Sequence, residues 1–297
     1  MDDLLLPPGA ERIVGTSVAR VDDLSLPWSD ATRTMLVTPG GGEPLVVQWS
    51  RDRAGIARRI RLAGALARVA PGLPVPPVLG GDPLAEIPWL VQRHVAGTLG
   101  RTLLDAEEDA ALLGTAVGGL ARKLRAVPVR GLRLPRRWAD PDRLQLAARG
   151  WLAHGRDVLG ADTTLRLGRR IDAIPGALDA TPVFAHGDLA PVNVLLREGV
   201  VVALLDLERA RLAHPLYDAA WWTWIIRIHH PERSGSAGVR FFEAADLGRD
   251  PNTLERLSLL AVLQCLEMLA TQRRTAVADR REWARRLAVV LEGVGPA

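Results

Sequence analysis

The sequence predicts an α+β chain of two lobes: a small antiparallel-sheet lobe over residues 1–95 and a mostly helical lobe over 96–297. Three observations predict it. Alternating and β-branched runs gather before Gly97, with a single helical pattern among them. Helix-period runs fill most of the chain after it. Between residues 183 and 208 a short strand-rich stretch interrupts the helices and carries the densest set of reactive side chains. With 48% hydrophobic and 24% charged residues, the chain can build a sizeable core and has no compositional mark of disorder.

Residues 32–38 (TRTMLVT) and 45–49 (LVVQW) flank a Pro39-Gly40-Gly41-Gly42-Glu43-Pro44 turn and read as an antiparallel hairpin. Residues 26–30, just before it, read as a loop. Residues 52–70 place Ile56, Ile60, Leu62, Ala63, Leu66 and Val69 at helical spacing, and Pro71, Pro74, Pro76 and Pro77 stop the helix. Strands follow near Val78-Leu79 and over 89–95. The run 101–126 is a long helix, with Asp105, Glu107 and Glu108 early and Arg122, Lys123 and Arg125 late, matching the helix dipole. Residues 128–142 form a loop. Further helices are expected near 143–157, 163–178, 215–230, 251–270 and 276–293.

Net charge is +4, and Lys123 is the only lysine. The arginines are scattered among acids, without the clustered basic stripe of a nucleic-acid binder, so no nucleic-acid partner is expected. The lone Cys265 sits in an apolar helical run and reads as a structural thiol in a reducing compartment, with a cytoplasmic location expected. The start, MDDLLLPPGAER, is acidic and Pro-broken, unlike a signal peptide. No apolar run reaches the roughly 18 residues of a membrane span. His229 and His230 lack spaced metal-ligand partners and read as surface or pocket-rim residues.

The chemistry concentrates in VFAHGDLAPVNVLLREGVVVALLDLERARLAHPLYD, residues 183–218. Residues 192–196 and 201–205 read as the arms of a hairpin turning at Gly199-Val200, which sets Asn193 across from Asp206. An amide oxygen and a carboxylate at one hairpin end suit a Mg2+ ion shared with phosphate oxygens and water. Asp188, on the loop leading in, could accept a hydrogen bond from a substrate hydroxyl and orient it for attack. Taken singly, an Asp-Gly or a loop Asn is more often a turn residue; the spacing of the whole set is what points to phosphoryl transfer.

HGDLAPVNVLL followed by VVALLDLERARLAHPLYDAAWW resembles the aminoglycoside phosphotransferase family, with residue-level specificity over about 183–222. The resemblance implies a bilobal protein-kinase-like fold and Mg2+-dependent transfer of the γ-phosphate of ATP or GTP to a small hydroxylated acceptor, such as an antibiotic or sugar-like metabolite. It casts Asp188 as catalytic base, His186 as brace of the catalytic loop, and Asn193 and Asp206 as metal ligands. Glu208 is then either an auxiliary metal residue or a structural one, and Asp218 holds the loop. The resemblance makes 91–97 a hinge, with backbone at Gln92, Arg93 and His94 facing the base, and casts 28–31 as a nucleotide-covering loop without glycine.

The chain departs from that pattern where the family has a phosphate-holding lysine. Gln48 stands there, and the following helix offers Arg58, Arg59 and Arg61 in place of a glutamate. Either an arginine from this helix, or Arg51 or Arg53, has taken over the phosphate contact, or the chain is a nucleotide-binding pseudokinase without turnover. The intact Asp188, Asn193 and Asp206 favour turnover. Trp221, Trp222, Trp224, His229, Glu243, Asp246 and Glu267 are candidate acceptor walls; the Arg excess over residues 209–297 weakens the case for a highly charged aminoglycoside without removing it, and the aromatic cluster suits a less charged sugar, nucleoside or macrolide-like alcohol. A protein kinase is disfavoured by the short segment between Asp206 and Pro215. The assembly expected is a monomer or homodimer without a membrane partner.

Overall fold

A computed structural model describes residues 6–15, 17–25, 32–272 and 276–292. The chain divides into two compact units: Met1–Thr98 with Val194–Glu208, and Leu99–Asn193 with Arg209–Ala297. The single boundary expected near residue 95 is therefore replaced by crossings at 98–99, 193–194 and 208–209. The hairpin that carries Asp206 and Glu208 groups with the N-terminal sheet.

The first unit is built on a five-stranded antiparallel sheet in the order β1 (Val18–Asp23), β2 (Thr32–Pro39), β3 (Leu45–Ser50), β5 (Trp89–Arg93), β4 (Val78–Asp82). Alternation sends Met35, Val37, Leu45, Val47, Trp89 and Val91 into one core, closed by Ala10 and Val14 around the short helix α1 (Glu11–Val14). Helix α2 (Arg53–Val69) begins at Asp52, whose carboxylate caps the Gly55 N–H at 3.0 Å, and buries Ile56, Leu62, Ala63 and Leu66.

In the same unit β8 (Val194–Arg197) pairs with β9 (Val200–Leu204), with the two-residue strand β6 (Thr98–Leu99) on the other edge of β8. The turn is Glu198-Gly199, one residue earlier than the sequence suggests. Both residues have positive φ, 52° and 73°, as the turn that matches strand twist requires. A bulge between Leu195 and Leu196 follows, and the last pair is Val194 with Leu204. Asn193 and Asp206 are thus not equidistant from the turn: one lies directly before the ladder, the other two residues beyond it.

The second unit is helical around two small strands, β7 (Val183–Ala185) and β10 (Arg211–Ala213), which pair antiparallel. Its helices are α3 (Glu107–Arg125), α4 (Pro141–Leu159), α5 (Ala161–Asp172), α6 (Ile174–Ala177), α7 (Tyr217–His229), α8 (Ser234–Ala244), α9 (Pro251–Thr271) and α10 (Val277–Leu291). The helix expected over 163–178 is broken near Pro175 into α5 and α6, because proline cannot donate to the ladder. α3 starts later than expected, after a 3₁₀ turn over Gly100–Leu104. Gly114 and Gly118, one helical turn apart on α3, lie against the α8 backbone at Ala237 and Phe241, where a Cβ would not fit. α9 is buried along most of its length, from Leu257 to Leu269. Cys265 sits within it, and burial pushes its thiol pKa well up, as a structural cysteine requires.

Candidate active site

Two clusters hold the residues singled out by sequence, one in each unit. In the helical unit, β7 leads straight into His186-Gly187-Asp188. Gly187 has φ 85°, and a Cβ there would run into the Arg209 carbonyl, so the turn demands glycine. Asp218, in the first turn of α7, accepts the His186 N–H at 2.8 Å through one carboxylate oxygen and the Gly187 N–H at 2.9 Å through the other. Burial pushes the Asp218 carboxyl above its usual range, while His186 and these two N–H groups pull it back. The loop-holding part expected of Asp218 is thus visible as two bonds.

Asp188 is held at three points. Its N–H donates to His186 Nδ1 at 3.3 Å, its carbonyl accepts from Asn193 Nδ2 at 2.8 Å, and its carboxylate Oδ1 accepts from Trp221 Nε1 at 2.8 Å. His186 is fully buried and Asn193 nearly so, whereas Asp188 keeps partial exposure. A carboxylate with one oxygen anchored and part of its surface open can receive a hydroxyl proton. With its amide nitrogen engaged, Asn193 keeps its side-chain oxygen as an acceptor. Trp221 is the site residue that sequence reasoning placed in the acceptor wall but not on the base. Its spacing three residues after Asp218, on the same helix face, was the available signal.

The sheet unit gathers Gln48, Arg59, Asp206 and Glu208 around one guanidinium. Arg59 Nη2 lies 2.8 Å from Glu208 Oε2 and 3.1 Å from Asp206 Oδ1, and Nη1 donates to Gln48 Oε1 at 3.2 Å. The arginine side chain is 11% exposed, against 29% and 33% for the two carboxylates, so the cation is the most desolvated member. Asp206 has φ 58°, a left-handed conformation that Asp tolerates, and its Oδ1 also accepts the Glu208 N–H at 3.3 Å. Among the arginines weighed as lysine replacements, Arg58 is spent on the Glu208 carbonyl at 2.6 Å and Arg53 on the carbonyls of Leu84 and Ala85. Arg59 alone among these three touches the carboxylates. Two carboxylates converging on one cationic nitrogen offer the hard oxygen donors that Mg2+ takes. Among the described residues no three His, Cys, Asp or Glu side chains gather, so other oxygens would have to complete its shell.

At the expected hinge, the Arg93 N–H donates to the Pro77 carbonyl at 3.0 Å and the His94 N–H to the Pro44 carbonyl at 3.3 Å, while Gln92 pairs with Val46 in the sheet. Gly97 packs against β8 at Leu195 and Leu196. Residues 28–31, the expected covering loop, lie outside the described residues. Of the expected acceptor walls, Trp222 is buried on Phe241 and Trp224 stacks on Trp283 at 5.6 Å. Glu267 is committed to Arg211 at 2.9 Å and to the Trp138 indole at 3.2 Å, a structural brace. Glu243 pairs with Arg240 on the surface, at 3.0 Å. Burial and the nearby Arg286 lower the pKa of His229.

The chain belongs to the phosphotransferase enzyme family, whose model matches residues 24–260. It is a small-molecule phosphotransferase of protein-kinase-like fold. Among solved structures it resembles aminoglycoside 2'-phosphotransferase-IIIa in its GDP complex, with a TM-score of 0.72 and 16% identity over 95% of this chain and 94% of that one. The GDP and kanamycin complex of APH(2")-IIia gives 0.69 and 16%, over 93% of each chain. A thermostable APH(4)-Ia mutant with ADP and hygromycin B gives 0.66 and 18%, over 97% and 98%. No curated protein matches by sequence. Among the described residues no helix is long and apolar enough to cross a membrane.

Proposed function

We propose that the protein transfers the γ-phosphate of ATP or GTP to a hydroxyl of a small acceptor, with Mg2+ as cofactor. The observation that carries this reading is the anchoring of Asp188 by Trp221, Asn193 and His186, which holds a partly exposed carboxylate in one orientation. Asp188 accepts the hydroxyl hydrogen and orients the oxygen for attack. His186 and Asp218 keep the loop rigid. The family resemblance assigns Asn193 and Asp206 as oxygen ligands for the metal and Glu208 as an auxiliary one, and the ion would neutralise charge on the transferring phosphoryl group. Arg59, steadied by Gln48, supplies the cation for the phosphates, and the backbone around Gln92, Arg93 and His94 borders the base. The acceptor is a hydroxylated antibiotic or sugar-like metabolite; the kanamycin and hygromycin B bound by the structural relatives support putting those two among the first trials.

Purified protein with Mg-ATP or Mg-GTP and a panel of hydroxylated antibiotics and metabolites should transfer labelled γ-phosphate, and Asp188→Ala should abolish transfer. Undiminished transfer in Asp188→Ala would refute the assigned roles. Nucleotide binding with no transfer to any acceptor would favour a pseudokinase, the reading that Gln48 in place of a lysine keeps open.

A further inference from the structure

We propose that Arg59 is a built-in counter-cation for Asp206 and Glu208, so that this site takes up a divalent metal fully only after a nucleotide's phosphates have drawn the guanidinium away. The inference deepens the phosphotransferase reading and rests on it for the nucleotide. Metal and nucleotide then bind as a linked pair, with the linkage written into one side chain.

The geometry points this way in three respects. First, a single nitrogen, Nη2, sits between the two carboxylates at 2.8 and 3.1 Å, where it neutralises charge that would otherwise attract a divalent ion. The block is lifted by movement of the side chain. Second, the third partner, Gln48 Oε1 at 3.2 Å, is neutral. A lysine in that strand position would repel Arg59, and a glutamate would lock it; an amide steadies the fork and lets it go. Third, Arg59 Nε is buried with no hydrogen-bond partner, an unmet donor on the same planar fork. A phosphate can take two parallel N–H bonds from that fork, which two separate carboxylates do not match as well. Asp206 and Glu208 thereby lose their cation when phosphate arrives and become available as oxygen ligands.

Nucleotide-free Mn2+ binding, read by electron paramagnetic resonance, and ATP binding in EDTA, read by calorimetry, test this on the full chain. Arg59→Gln should tighten nucleotide-free Mn2+ binding by about tenfold and weaken metal-free ATP binding by about tenfold, the scale of one charged hydrogen bond. Arg59→Lys keeps the charge but cannot span both carboxylates and Gln48, so its Mn2+ affinity should fall between those of wild type and Arg59→Gln. It carries the test if the Gln variant does not fold. No gain in Mn2+ affinity in either folded variant overturns the proposal, because a merely structural clamp would loosen and lose both ligands. If wild-type protein binds neither ATP nor GTP, the phosphotransferase reading fails, while the Mn2+ comparison still decides whether Arg59 is a counter-cation.

Discussion

Asp218→Asn is nearly isosteric, yet it should be among the most damaging single changes in the helical unit. The carboxylate is 7% exposed and uses one oxygen for the His186 N–H and the other for the Gly187 N–H. An amide keeps one acceptor and turns an NH2 donor toward the other N–H. One charge-assisted bond is lost, worth about 1.5–3 kcal/mol, and a buried donor is left unmet, at about 1–3 kcal/mol. The two overlap, so the expected loss is about 3 kcal/mol. No volume changes, so no cavity term obscures the reading. With a urea slope of about 3 kcal/mol/M, the midpoint should fall by roughly 1 M. Tryptophan fluorescence follows the transition directly, since Trp221 lies on the same helix turn as Asp218. Phosphoryl transfer should fall further than stability does, because the loop carrying Asp188 loses its anchor. A midpoint within about 0.2 M of wild type would refute the reasoning; it would mean that the loop N–H groups find other acceptors at little cost.

Two further expectations follow from single contacts. Trp221→Phe removes the indole donor to Asp188 Oδ1 while keeping an aromatic ring, so kcat should fall about tenfold at an unchanged KM for nucleotide, the worth of one hydrogen bond to a charged group; an unchanged kcat in steady-state kinetics would remove Trp221 from the site. Burial lowers the His214 pKa from 6.5 to about 4, and its Nδ1 accepts the Leu216 N–H at 3.1 Å. Below pH 6.5 the unfolded chain takes up a proton that the folded one refuses, so stability is full above that pH and is lost as pH falls toward 4, by roughly 3 kcal/mol in all. His214→Asn, whose amide oxygen can replace Nδ1 as acceptor, should flatten that part of the pH profile in urea titrations; an equal loss in both proteins would assign it elsewhere.

The catalytic-loop half was legible in the sequence because its chemistry is local. His186, Asp188, Asn193 and Asp218 stand within one stretch, and short spacing leaves a chain few ways to arrange them. Helices with clean apolar periods and capping residues, such as α2 and α9, were legible for the same reason. The hairpin turn was misplaced by one residue because Gly199 satisfies either register, and only the positive φ of Glu198 settles it. α8 was missed because SGSAGVRFFEA opens with residues that usually break helices. Its partner signal was on α3, where Gly114 and Gly118 admit a close neighbour. Period alone sets Arg59 apart from Arg61 but not from Arg58, since each of the two lies three residues after one buried position and four before another, on the inward face of α2. What Arg59 would meet there could not be read, because its carboxylate partners come from a hairpin distant in sequence. Contacts of that separation leave no periodicity behind.

That separation bears on how the protein is made. Arg59 bonds to Glu208, 149 residues further along the chain, and the hairpin that completes its unit follows 95 residues that belong to the other unit. During synthesis the N-terminal sheet emerges early with a half-buried cation and no carboxylate to meet it. The unit that begins the chain cannot close until its second segment, Val194–Glu208, has been made. It stays open at Arg59 until residues 206–208 have left the ribosome, by which time the loop bearing Asp188 has already been made.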